Sequence, residues 1–238
     1  MRFLRAFGAA AVLASASTAG AQAIPRQFTV TPRGGYFTFD KASGIKNAAV
    51  LGIQTTYHIN RFLGVAAGVD VARPQTNGDY FVSALTFQDT TYIVRVHQPI
   101  TIVMPQLNVS LRLPNDMISP YITAGAGTYS MYLDAQQSGN RSAITRMASN
   151  VAAGFDLKLA DRVGVTFEAR DAMFSKFKRS RLNPIAAIDV NNRFTEDFPI
   201  PPAEKSNLNN FMFTLGFTFA PQGRRDSTDS GSTTTGER

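Results

Sequence analysis

Asn210-Phe-Met-Phe-Thr-Leu-Gly-Phe-Thr-Phe219 decides the fold of this chain. Phe211, Phe213, Leu215, Phe217 and Phe219 fall on one face of a strand, and Met212, Thr214, Gly216 and Thr218 on the other. A soluble core needs a mosaic of shapes, whereas a lipid-facing surface has only to be apolar and wide. Four phenylalanines in strict alternation therefore point to a bilayer as the solvent for that face. Lipid offers no partner for an unpaired strand edge, so a chain that crosses with strands is expected to close into a barrel.

The opposite end of the chain carries an export signal. Met1-Arg-Phe-Leu-Arg5 is short and positive, Ala6 to about Ala16 is apolar, and Ala21-Gln-Ala23 has the small-x-small form of a signal-peptidase site. Residues 1–23 are thus expected to be a cleaved signal peptide, with the mature protein beginning near Ile24. The apolar run is too short, and too interrupted by Ser15, Ser17, Thr18 and Gly20, to be a spanning helix. Nothing after residue 24 reads as one either, so strands must carry any membrane role.

About 215 mature residues suffice for one barrel and leave no room for a second large domain. The absence of cysteine excludes thiol chemistry and cysteine metal sites. The formal charge of +7 falls to +5 when Arg2 and Arg5 leave with the signal. An exported basic chain meets lipopolysaccharide phosphates before nucleic acid, and no zinc-finger spacing, phosphate-binding loop or RNA-recognition signature supports a nucleic-acid partner.

Alternation predicts eight strands, over 27–40, 47–59, 62–72, 100–113, 120–133, 147–159, 162–173 and 209–219. The joints after the second, fourth and sixth are short, at Asn60-Arg61, 114–119 and Ala160-Asp161, and the others are long. Tight turns on one side and long loops on the other match a periplasmic and an outer face, with both termini periplasmic. Within the second long loop, 79–87 and 91–96 alternate well enough for a hairpin, which either projects above the membrane or adds two strands to make ten.

Three further features carry a family resemblance: the Ala-x-Ala signal ending, Pro120-Tyr-Ile-Thr-Ala-Gly-Ala-Gly-Thr-Tyr129, and the run from Ala152 to Arg170. With the aromatic strand ending at Phe219, residues 27–219 resemble the small outer-membrane β-barrel family of the OmpA/OmpX type. The resemblance implies an eight-stranded antiparallel transmembrane barrel over 24–219 and barrel-assembly machinery as a partner during insertion. It also implies that Phe211, Phe213, Leu215, Phe217 and Phe219 form the assembly signal. One departure is that 19 residues follow Phe219. From Pro221 on they are Ser, Thr, Gly and charges, a composition that cannot bury enough surface to fold, so 220–238 reads as a disordered periplasmic tail.

The alternation also assigns the inner face. Gly52, Gln54, Thr56 and His58 point inward on the second strand, and Gly64, Gly68 and Asp70 on the third. Gln106, Asn108, Ser110 and Arg112 do so on the fourth, and Asn150, Asp156, Lys158, Glu168 and Arg170 on the sixth and seventh. Asp70, Asp156 and Glu168 balance Arg112, Lys158 and Arg170. Eight strands enclose an interior that side chains can fill, and charges kept from water persist there when paired. A lumen plugged by ion pairs is expected; a channel lined by these charges, or an acid pair formed by Asp156 and Glu168, is the alternative.

Catalysis finds no support. The two histidines, His58 at the foot of the second strand and His97 in the long loop, match neither a nucleophilic triad nor the sets of lipid A deacylases or outer-membrane proteases. No cofactor and no metal is implied. Lys176, Lys178, Arg179 and Arg181 follow the seventh strand and would meet lipopolysaccharide phosphates at the outer rim; Asp197–Pro202 reads as a stiff loop tip. The function expected is that of a monomeric outer-membrane barrel with a structural or surface-interaction role through its loops. Passive transport of small or hydrophobic molecules is the alternative, with lipid modification behind it.

Overall fold

The computed structural model describes residues 27–87, 90–95, 97–115, 117–133, 142–160, 162–182 and 202–220. The expected signal peptide, the tail from residue 221, and all of Asp197–Pro202 but its last residue lie outside the described residues.

Among the described residues ten strands form: β1 (Gln27–Thr38), β2 (Ala48–His58), β3 (Leu63–Ala72), β4 (Val82–Phe87), β5 (Thr90–Arg95), β6 (Ile100–Arg112), β7 (Ile118–Leu133), β8 (Ser142–Ala160), β9 (Val163–Phe174) and β10 (Leu208–Phe219). Eight of them close an antiparallel barrel in the order β1-β10-β9-β8-β7-β6-β3-β2, while β4 and β5 pair only with each other. The ten-strand alternative is therefore corrected. The closing seam is β1 on β10, running from Val30↔Phe219 to Thr38↔Phe211, and it leaves no barrel strand unpaired. At the β2–β3 turn the side-chain oxygen of Asn60 accepts from the N–H groups of Phe62 and Leu63, both at 2.8 Å, which holds the joint tight.

β8 begins at Ser142 rather than at the expected Met147, because it keeps pairing with β7 up to Leu133↔Ser142. Among the described residues no helix is long and apolar enough to cross a membrane; the crossing is made by the outward face of the strands. Leu51 is 70% exposed and Phe213 55%, values that in water would leave a large apolar patch and in lipid are satisfied. From Val103 on β6 to Leu113 just beyond its end the outward-facing residues advance roughly 33 Å along the chain, or about 25 Å across a bilayer at a tilt near 40°, the height of an outer-membrane apolar band. Near the short-turn end Phe28 pairs with Tyr57 and Phe155 stacks on Phe167, with ring centroids 4.7 and 4.9 Å apart, as an interfacial aromatic girdle.

Inside, the barrel is layered. Toward the loop end Phe37, Val50, Ile100, Ile102, Tyr129, Met131, Leu133, Phe174, Leu208 and Met212 form a dry apolar cluster. Loop residues Phe39, Ala42, Ile45, Phe81, Phe177 and Leu182 complete it from above. Below that cap the inward positions are ionic and then hydroxyl-bearing.

Candidate functional site

The ionic layer is built around Arg33, which the inside/outside assignment above leaves out. Arg33 pairs with Gly52 on β2 and with Gly216 on β10, so both neighbouring strands present no side chain beside it. Its guanidinium therefore reaches past them to the next strands. Nε and Nη2 donate to the two carboxylate oxygens of Asp70 on β3, at 2.8 and 2.7 Å, and Nη1 donates to Gln54 Oε1 at 2.9 Å and to Glu168 Oε1 on β9 at 3.2 Å. Arg170 Nη2 donates to the same Glu168 oxygen at 2.6 Å, and its Nη1 lies 3.6 Å from Asp70 Oδ2. Two guanidinium groups and two carboxylates thus form a neutral, closed quartet, with the Arg33 and Asp70 side chains only 4% and 1% exposed.

Neutral side chains add hydrogen bonds to both carboxylates, while Arg170 Nε and Nη1 are buried without one. Gln106 donates to Asp70 Oδ2 and accepts from Asn150 Nδ2 at 3.0 Å, and Tyr121 donates its hydroxyl to Glu168 Oε2 at 3.0 Å. The absence of a side chain at Gly52 is part of this geometry, since a Cβ there would overlap the Asp70 carboxylate. A quartet in which every carboxylate is held by charge-assisted hydrogen bonds is the arrangement that makes buried ions tolerable.

A second pair lies nearer the periplasmic end. Arg112 Nη2 is 2.6 Å from Asp156 Oδ2, while Asp156 Oδ1 accepts from Thr166 Oγ1 at 2.6 Å. Thr166, Thr218 and Thr31 continue as a hydroxyl chain at 2.8 and 2.9 Å. Lys158 is exposed near the short-turn end of β8, where a bulge between Lys158 and Ala160 shifts the β8–β9 register. Asp70, Arg112, Asp156, Glu168 and Arg170 do lie inside, as two groups rather than one. The signal for Arg33 was present in β1, whose inward positions Thr29, Thr31, Arg33, Gly35 and Phe37 follow the same alternation.

Two cavities of about 20 Å3 each interrupt the packing of the lumen, room for a water molecule or two. One lies among Arg33, Tyr121, Asp156 and Glu168. The other runs from Asp70 and Arg170 to Pro105, Thr128 and Ser149 in the wall. There the β6–β7 ladder skips from Val103↔Ser130 to Gln106↔Gly127, because Pro105, opposite Thr128, has no N–H to donate across the ladder.

Neither histidine is part of a reactive set. His58 is buried at the foot of β2 with Nε2 3.3 Å from Thr29 Oγ1, and His97 Nδ1 lies 3.4 Å from the Thr76 carbonyl oxygen. Among the described residues no three His, Cys, Asp or Glu side chains gather as a metal site.

At the outer rim Lys176, Lys178 and Arg181 are exposed. Arg179 is not a free cation. Its Nη1 donates to the carbonyls of Ala42 and Pro202, at 3.2 and 2.8 Å, and its guanidinium lies over Tyr80 at 5.9 Å. It ties the first, second and fourth long loops together.

A closed eight-stranded transmembrane barrel with an ion-paired lumen is the architecture of small bacterial outer-membrane proteins. Residues 7–220 match the family model of the outer membrane protein β-barrel domain, and the chain belongs to that family. Among solved structures it resembles Neisserial surface protein A, with 13% identity, a TM-score of 0.52, and 81% of this chain and 96% of that one covered. It also resembles OprG of Pseudomonas aeruginosa, with 14% identity, a TM-score of 0.47, and 82% and 97% covered. At such identities the likeness is one of fold alone. No functionally curated protein shows significant sequence similarity to the chain.

Proposed function

We propose that this protein is a sealed outer-membrane barrel that acts through its outer loops, as a structural or surface-interaction element, without catalysis. The observation that carries this reading is the filled lumen: an apolar cap lies above a neutral ionic quartet, and the cavities beside the quartet, one on the cap side and one on the hydroxyl side, hold about 20 Å3 each. The same cap roots the outer loops through Phe39, Ile45, Phe81, Phe177 and Leu182, so the outer surface is a platform rather than a set of loose strands of chain.

Lipopolysaccharide is the expected neighbour of Lys176, Lys178 and Arg181. The outward aromatics Phe211, Phe213, Leu215, Phe217 and Phe219 are the proposed signal to the insertion machinery, after export and removal of residues 1–23. Planar-bilayer recording of the refolded protein tests the seal. Wild type should stay closed, and Arg33→Ala with Arg170→Ala should leak; steady wild-type current that the double variant leaves unchanged would sink the reading. The skipped pairings at Pro105 favour a second reading, lateral passage of a small apolar molecule. It requires vesicle uptake of a neutral apolar solute to be accelerated by wild type and slowed in Pro105→Ala.

A further inference from the structure

A cavity lies outside the lumen, at the outer end of β1 and beneath the first long loop. It measures about 480 Å3, within the range of ligand pockets. Its lower lip is Tyr36 and Thr38 at the outer end of β1, its walls include Asn47, Asn77 and Tyr80, and Lys41 and Lys46 stand on the first long loop.

Both lysines are exposed, and among the described residues neither ammonium group has a carboxylate partner. Asp40, next to Lys41, is already engaged by Lys205 at 3.3 Å, and Asp79, next to the cavity-lining Tyr80, by Arg95 at 3.4 Å. The loop that carries the lysines is rigid. A 3-10 turn at Lys41–Ser43 is capped by Asp40, whose Oδ1 accepts from Ala42 N at 2.9 Å. It ends at Gly44 with φ 69°, where a Cβ would press on the Phe81 ring. Lys46 N then donates to Gln75 O at 2.8 Å, and Asn77 N to Gly44 O at 2.7 Å. Ala42, Ser43, Gly44 and Ile45 are buried beneath it, so the backbone that carries the two cations is a fixed frame.

Directly below, the surface turns apolar without a break. Tyr36 pairs with Ala49 on β2 and Phe213 on β10, and Leu51 and Phe213 continue the lipid-facing wall. An occupant that satisfies the whole site is therefore amphiphilic. It has a phosphate between the ammonium groups, a sugar against the tyrosine rings and asparagine amides, and acyl chains along β1, β2 and β10.

We propose that this cavity binds a phosphorylated glycolipid of the outer leaflet, with Lys41 and Lys46 holding the phosphate. The proposal rests on the outer-membrane placement of the loops and adds a ligand class and a site to it. It adds a first-loop contact to the one proposed for Lys176, Lys178 and Arg181 on the fourth loop.

The test is binding of lipid A to the refolded full-length barrel in neutral-detergent micelles, by native mass spectrometry. Lys41→Gln with Lys46→Gln should weaken lipid A at least tenfold, and Lys41→Arg with Lys46→Arg should restore it, while cold-SDS mobility certifies the fold of each. Dephosphorylated lipid A should bind wild type and the Gln variant alike. Acyl-free glucosamine 1-phosphate should bind wild type far more weakly than lipid A. Equal lipid A affinity in wild type and the Gln variant overturns the site, and an equal loss for the dephosphorylated lipid overturns the phosphate assignment. Tight binding of the acyl-free sugar phosphate overturns the lipid assignment in favour of a soluble ligand. Bilayer current is recorded on the same preparations: a leaking wild type refutes the proposed seal, and an unchanged lipid A affinity with an intact seal refutes only this site.

Discussion

Replacing Asp70 by Asn is the sharpest probe of the ionic layer. The change is nearly isosteric, yet it takes the quartet from neutral to a net charge of +1, leaving Arg33 and Arg170 to share Glu168. Two unit charges about 4 Å apart interact by about 4 kcal/mol at an effective dielectric near 20. Breaking one partner out of a buried pair costs about 3–5 kcal/mol in proteins generally. Asp70 here holds Arg33 through two oxygens at 2.8 and 2.7 Å with almost no exposure to water, so the loss belongs in that range. The chain has no tryptophan, so urea unfolding in lipid vesicles is followed by far-UV circular dichroism and by cold-SDS mobility. Asp70→Asn combined with Arg33→Gln restores neutrality, and the double variant should lose at least ~2 kcal/mol less than the sum of the singles. A single-variant loss below ~1 kcal/mol, or strict additivity, would show that the quartet is solvated and would refute the argument for an ion-paired seal.

Three more outcomes follow from the packing. Phe174→Ala removes the ring stacked on Tyr129 at 4.2 Å in the apolar cap and should destabilise the barrel by about 3–5 kcal/mol, with faster proteolysis of the outer loops; unchanged proteolysis would separate the cap from the loops. Gly52→Ala drives a methyl group into the Asp70 carboxylate, so its refolding yield should fall well below that of an Ala49→Val control on the outward face, as judged by cold-SDS mobility. Equal yields would mean that the quartet can shift without cost. Pro105→Ala supplies the missing N–H opposite Thr128 and should add about 0.5–1.5 kcal/mol in the same urea titration; a loss of stability would show that the ladder gap is imposed by the shear of the barrel rather than by proline.

The loop surface is itself part of the folded core. Arg179 spans Ala42, Tyr80 and Pro202, and Tyr129 donates its hydroxyl to the Ser175 carbonyl at 3.0 Å, so the rim is bonded from loop to loop and from loop to wall. This is why a cation that reads as surface charge in the sequence becomes a brace in the structure, whereas Lys41 and Lys46, in an unremarkable loop, become the exposed pair beside the cavity.

The eight barrel strands, most of their positions and the inward or outward sense of most of their side chains were legible in the amino-acid sequence, which left open whether the loop hairpin adds two strands more. They depend on a period of two and on the contrast between lipid and lumen, both local properties of each strand. Phe211 to Phe219, Leu51 and Leu107 face out, and Asp70, Arg112, Asp156, Glu168 and Arg170 face in, on that rule alone. Which charges meet was decided only by the tertiary structure. Arg33 on β1 reaches Asp70 on β3 and Glu168 on β9 because the stagger of the closed sheet sets Gly52 and Gly216 beside it, and stagger is a property of closure rather than of any one strand. The bulge that leaves Lys158 at the rim, the hairpin of β4 and β5 outside the barrel, and the apolar cap gathered from separate loops have the same origin. Each depends on contacts between segments distant in sequence, which alternation within a strand does not encode.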